Sequence, residues 1–179
     1  MRGARTNGKE GDYDGITPLF IAVENGNVEI ARLLLDNGAK VNARDGQKQT
    51  PLMRLDEDAS PELVELLLVN GAKIDLADKH GNTALIIAAE SVSSATLAAL
   101  IRAGSDVNLS NKSGQTALMN AAYDDNLENV RQLVLAGAKV NQKNKENDTA
   151  WDLTTDDAVR ELLATYGAEA RAESNENVE

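Results

Sequence analysis

Apolar residues along this chain come in paired short bursts separated by a brief polar break. Leu19, Ile21, Ala22 and Val23 make one burst, and Asn25-Gly26 interrupts it. Val28, Ile30, Leu33 and Leu34 then recur at the 3.6-residue spacing of a helix that buries one face. Asn37-Gly38 ends the second burst, where Gly accepts the left-handed conformation of a helix stop. At the front, the Thr17 hydroxyl can cap a free N–H, and Pro18 at the first helical position forgoes no hydrogen bond. Residues 40–45 read as an extended hairpin arm. The pattern therefore predicts two short helices followed by a hairpin.

That unit recurs at a fixed period. Thr17, Thr50, Thr83, Thr116 and Thr149 each lie 33 residues after the last, and so do Gly38, Gly71, Gly104 and Gly137. Two independent markers holding one period are the signature of a solenoid. The predicted units are residues 12–44, 45–77, 78–110, 111–143 and 144–168. A flexible lead-in (1–11) precedes them and an acidic disordered tail (169–179) follows. Repeat two restarts its second helix at Ser60-Pro61-Glu62, with Ser as cap and Pro in the first turn. Repeat five is three residues short, since Gly167 follows Gly137 by 30, and its Asp156-Asp157 stretch suits a terminal cap.

Composition narrows the chemistry. Hydrophobic residues make up 42% of the chain but aromatics only 3%, so Leu, Ala, Ile and Val must fill the interior. With 29 acidic against 18 basic side chains the net charge is −11. Such a chain repels nucleic acid and anionic membrane and favours basic protein surfaces. There is no cysteine, which excludes disulfides and thiolate metal sites. The basic start has no apolar segment behind it, and no run approaches the roughly 20 residues of a membrane span. The expected location is cytoplasmic, or secreted or periplasmic if a leader has been removed.

Over residues 12–168 the chain resembles the ankyrin-repeat family. The motifs that carry the resemblance are DGITPLFIAVENGNVEIARLLLDNGAKVNAR (14–44), GNTALIIAAE (81–90) and LENVRQLVLAGAKVNQK (127–143). It implies an all-α fold, an ankyrin-repeat solenoid of stacked helix-turn-helix units with hairpin loops. The family's His in T-P-L-H is replaced by Phe20, Met53, Ile86, Met119 and Asp152, which predicts loss of a polar tie between each helix start and the neighbouring hairpin. The Gly between the helices survives only as Gly26, with Ala59, Val92 and Asp125 at the equivalent sites. In repeat two Leu55 and Asp56 stand at the usual Ala-Ala positions, so the helices there must tilt apart or expose Asp56. Repeat one is apolar for a terminal unit. Residues 1–11 are too short for another helix pair, so either they fold over that end or an upstream portion completes it.

Catalytic chemistry finds little support. The one histidine, His80, sits at a hairpin tip, exposed and without an oxyanion hole. Asp56-Glu57-Asp58 does not continue as a calcium loop: Pro61 stands where the sharp-turn Gly belongs and Leu67 where the bidentate Glu belongs. No phosphate-binding loop occurs, and the chain calls for no cofactor or metal. The sequons at Asn111 and Asn147 read as products of Asn-rich turns. Asn42, Asn108 and Asn141, at a step that is hydroxylated in some similar animal proteins, read as turn-stabilising residues.

Binding is the positive expectation. By the resemblance, contacts come from hairpin tips and from the exposed, concave side of the first helices. The tips carry Tyr13, Asp14, Ile16, Gln47, Gln49, Lys79, His80, Asn82, Lys112, Ser113, Gln115, Lys145 and Glu146, with Lys79, Lys112 and Lys145 forming a basic row. The first-helix ends carry Glu24, Asn25, Glu57, Asp58, Glu90, Ser91, Tyr123 and Asp124, an acidic row. The expected function is a non-catalytic, monomeric protein-interaction module whose partner has basic surface groups, with Tyr13 and Tyr123 as anchors. Two variants of that expectation are an inhibitor or immunity-type protein that blocks an enzyme, and a docking fragment of a larger multidomain protein.

Overall fold

The computed structural model describes residues 15–55, 59–91 and 93–169. Repeat one contributes α1 (Pro18–Glu24) and α2 (Val28–Asp36), and repeat two a 3-10 turn (Pro51–Arg54) and α3 (Pro61–Val69). Repeat three adds α4 (Ala84–Ser91) and α5 (Ser94–Arg102), and repeat four α6 (Ala117–Tyr123) and α7 (Leu127–Leu135). Repeat five closes the array with α8 (Ala150–Leu153) and α9 (Asp157–Thr165). The chain is all-α in the described residues, apart from an isolated antiparallel bridge between Ser110 and Thr116.

Two layers result. The first helices stack in the order α1, 3-10 turn, α4, α6, α8, and the second in the order α2, α3, α5, α7, α9. Helices of seven to nine residues are too short to persist alone in water, so neighbours must hold them. Leu63, Leu67, Leu97, Leu100, Leu118 and Leu133 are buried between the layers and between successive repeats. Few side chains larger than Leu are needed because the helices approach closely through Ala88, Ala89, Ala121 and Ala122.

Local chemistry sets the ends. Every second helix has a side-chain cap: Asn27, Ser60, Ser93, Asn126 and Asp156 accept from the N–H three residues on. First helices are less uniform. Thr83 and Thr116 cap α4 and α6 through their hydroxyls, whereas Thr17 makes no side-chain cap bond and α1 relies on Pro18. Each second helix stops at a glycine; Gly38 takes φ +82° and its N–H donates to the Leu35 carbonyl.

Repeat two departs from the pattern as its bulky residues require. Its first helix is reduced to the 3-10 turn, Leu55 turns into the core, and Arg54 lies half-buried. The expectation that Asp56 is exposed lies outside the described residues. Two of the residues that replace the family's His bond back within their own helix start: the Asp152 carboxylate accepts from both the N–H and the hydroxyl of Thr149 at 2.8 Å, and the Met53 sulfur from the Thr50 N–H at 3.5 Å.

Candidate interaction surface

The hairpin tips are built by one repeated device. Asp45, Asp78, Asn111 and Asn144 each accept, through one side-chain oxygen, from the N–H groups two and four residues on. Each such turn passes through a left-handed residue, Lys48, Gly81, Gly114 or Asn147. Successive tips are then tied backbone to backbone. Lys79 N–H donates to the Gln47 carbonyl at 2.7 Å, Lys112 to His80 at 2.9 Å and Lys145 to Ser113 at 3.0 Å. The three lysines therefore stand in one row, each exposed, beside exposed Gln47 and His80.

Asn82 and Gln115 have other work. The Asn82 side chain donates to Asp78 at 3.3 Å and accepts from Asn111 at 2.8 Å, while Gln115 accepts from Asn144 at 3.5 Å. Both are half-buried links between repeats. Tyr13, Asp14, Glu57 and Asp58 lie outside the described residues, and nothing places them with the rest.

At the first-helix ends the packing of α4 on α6 brings Glu90 within reach of the Asp124 charge, and Tyr123 precedes Asp124 on α6. Tyr123 is 71% exposed and so is available to a partner. Glu90 reaches towards the stack, where Asn120 donates to its carboxylate at 2.7 Å and to the Ile86 carbonyl at 3.1 Å. Partial burial, and secondarily the charge of Asp124, raise the Glu90 carboxyl above its ordinary range. Glu24 differs, because Arg54 lies 3.5 Å from it and also 2.9 Å from buried Asp45. Among the described residues neither Glu90 nor Asp124 is in an ion pair. The acidic row is thus neutralised at repeat one and left unneutralised at repeats three and four.

Three functional supports went unseen in the sequence. Arg54 bridges Glu24 and Asp45, Asn120 holds Glu90, and Asp125 clamps repeat five. Asp125 takes φ +52°, the left-handed turn that Gly26 supplies in repeat one at φ +62°. Its carboxylate accepts from the Thr154 and Thr155 hydroxyls at 2.6 and 2.8 Å and from two backbone N–H groups. Those bonds, Thr154 first, hold its carboxyl down at about 2. Asn120 and Arg54 did leave a signal, being the two polar residues in a column otherwise held by Ile21, Ile87 and Leu153.

The asparagines of the step after each helix pair act as clasps. Asn42, Asn108 and Asn141 donate to the carbonyls of Gly71, Gly137 and Gly167 and accept from the N–H of Lys73, Lys139 and Glu169. In repeat two the same position is Asp75, which accepts from Asp106 N–H at 3.3 Å and has no proton to donate when ionised. Grouped His or carboxylate side chains suited to a metal ion do not occur among the described residues. Nor, among them, is any helix long and apolar enough to cross a membrane.

Comparison with known families agrees with this construction. A family model described as ankyrin repeats, three copies, matches residues 52–144, and one described as ankyrin repeat matches residues 14–46. No curated protein matches the chain.

Proposed function

The chain belongs to the ankyrin-repeat family, and on that premise we propose that it is a non-catalytic module binding a partner protein through its concave side. A single copy, acting in the cytoplasm, presents Glu90, Asp124 and Tyr123 at the first-helix ends, with Lys79, His80, Lys112 and Lys145 along the tips. The partner offers basic groups. The observation that carries this reading is the unneutralised carboxylate pair Glu90 and Asp124, with the 71% exposed Tyr123 the residue before Asp124. A lysine or arginine arriving there meets two anionic groups and a ring face, and it offsets the Asp124 charge that adds to burial in raising Glu90. Rigid stacking lowers the ordering cost of binding, because the contact residues are already fixed by neighbouring repeats.

The reading is tested by affinity capture from the native source with wild type and a Tyr123→Ala/Glu90→Lys double variant side by side. The expected result is one stoichiometric protein retained by wild type, released by salt, and lost by the variant while its circular dichroism stays helical. Equal retention by both would remove the concave side as the binding surface.

A further inference from the structure

Charge is sorted along the hairpin tips. Residues 46–49, 79–82 and 112–115, the tips of repeats two, three and four, contain Lys48, Lys79, His80 and Lys112 and no acidic residue, although the chain carries a net charge of −11. All four side chains are exposed. The carboxylates that precede two of these tips are turned inward. Asp45 and Asp78 are each 7% exposed and spend their oxygens on the N–H groups of the turn, and Asp45 also on Arg54. Among the described residues none of the three lysines is in an ion pair. The cationic run stops at repeat five, where exposed Glu146 and half-buried Asp148 follow Lys145. The tips are also evenly stepped, each fixed to the next by a backbone bond, from Lys79 to Gln47 and from Lys112 to His80. Stacked helices lie roughly 8–10 Å apart, a step that matches three residues of extended chain at about 3.3 Å each. Gln47, His80 and Ser113 share one tip position, all exposed, and each side chain has an N–H or O–H to donate to a carboxylate.

We infer that these three tips hold an extended acidic segment of the partner, with a carboxylate at every third residue. The inference rests on the partner-binding reading above and adds to it a second contact, opposite in sign to the basic group taken at the first-helix ends. Together the two contacts give the partner one orientation. Reversed, it would set acid against Glu90 and Asp124 and base against the lysines. A nucleic-acid strand also offers a row of anions, but it is a continuous polyanion. It would run on past the three tips to Glu146 and Asp148 and meet the repulsion of an acidic chain. A short acidic segment followed by a basic group avoids both. The turn bonds and the bonds between tips set the spacing before binding, so the ordering cost falls mainly on the lysine side chains. Exposed ion pairs are individually weak and are screened by salt, so an isolated acidic peptide binds with a Kd of about 0.1–1 mM. The rest of the partner supplies the remaining affinity.

Amide NMR of the isotope-labelled full chain tests it, with a capped peptide in which two glycines separate each of four glutamates. The expected result is a set of shifts at residues 46–49, 79–82 and 112–115 that titrate together. The Kd is at least about threefold lower than for a peptide of the same composition with its glutamates contiguous. Raising the salt to about 0.5 M removes the shifts. Lys79→Glu/Lys112→Glu weakens binding at least about tenfold. Lys73→Glu/Lys139→Glu, the same charge change on exposed lysines away from the tips, costs less than about threefold. Absence of tip shifts, equal affinity for the contiguous peptide, equal weakening by the two double variants, or tighter binding of a ten-nucleotide oligothymidylate each overturns the proposal. The Tyr123→Ala/Glu90→Lys variant keeps the tip shifts, and their loss in it would overturn the assignment to the tips. Failure of the tip contact and failure of the first-helix contact are therefore read separately.

Discussion

Thr154 of repeat five donates a 2.6 Å hydrogen bond to Asp125, a residue 29 positions earlier in the inter-helix turn of repeat four. With Thr155 and the N–H of Asp156 joining it, the carboxylate fastens the last helix pair to the array. Because these bonds need the ionised form, the Asp125 carboxyl is held at about 2, below its ordinary 3.8. A lowered folded value means that the stabilisation is fully present above the unfolded value and is lost as pH falls through the folded one. Repeat five should loosen between about pH 4 and pH 2, and Asp125→Asn should remove that step. Hydrogen exchange of α9 amides across this window checks it, and identical profiles for the two proteins would contradict the clamp.

Glu90 has the opposite sign. Its carboxyl is raised by partial burial and by Asp124, so the folded state favours the protonated form. Its relative stabilisation is present at low pH and is lost as pH rises through the folded value. Glu90→Gln keeps an oxygen for Asn120 and removes the charge. The variant should melt higher than wild type at pH 7 while binding a basic partner less well. A lower melting temperature would show that ionised Glu90 supports the stack.

Asp75 occupies the clasp position held elsewhere by Asn42, Asn108 and Asn141, without their donor. Asp75→Asn should add the missing bond to the Gly104 carbonyl and remove a like charge beside Asp106. The expected gain is about 0.5–1.5 kcal/mol, read as a rise in urea midpoint without a change in slope.

Backbone strain gives a paired test at the tips. Lys48 carries a side chain at φ +60°, and Lys48→Gly should stabilise by about 0.5–1 kcal/mol once the added flexibility of glycine is set against the relieved strain. Gly81 sits at φ +88°, and a Cβ there would lie 2.9 Å from the backbone nitrogen of Lys112. Gly81→Ala should cost about 1–3 kcal/mol and shift thermal unfolding downward. Changes of the same sign at both sites would count against this account of the tip.

The architecture was legible because a repeat array needs only local rules repeated in phase. Thr-Pro starts, Asn-Gly stops and the 33-residue period located the second helices, and their boundaries follow from the caps at Asn27, Ser60, Ser93 and Asn126. What escaped depends on contacts that the repeated local pattern does not specify. Whether Thr17 caps its helix, how far Leu55 shortens the first helix of repeat two, and how Asp152 turns back on Thr149 are set by packing around each start. The candidate surface was legible as two rows of residue types. Its electrostatics were not: Arg54 neutralises Glu24 while Glu90 is left with Asn120 and Asp124, and these are distances between units. Asn82 and Gln115 share the lesson, since tip residues in sequence became half-buried links in space.

The ties between repeats are all short in sequence. The tip bonds span 32 residues, and the longest side-chain tie, from Asn129 to Ala89, spans 40. During synthesis, a unit of 33 residues emerges in roughly 2–7 s at ordinary elongation rates, and its docking surface on the previous unit is then already outside the ribosome. Each stacking face is covered within one unit of its appearance. Among the described repeats, a stacking face is therefore open to chaperones only for the time that one further unit takes to emerge.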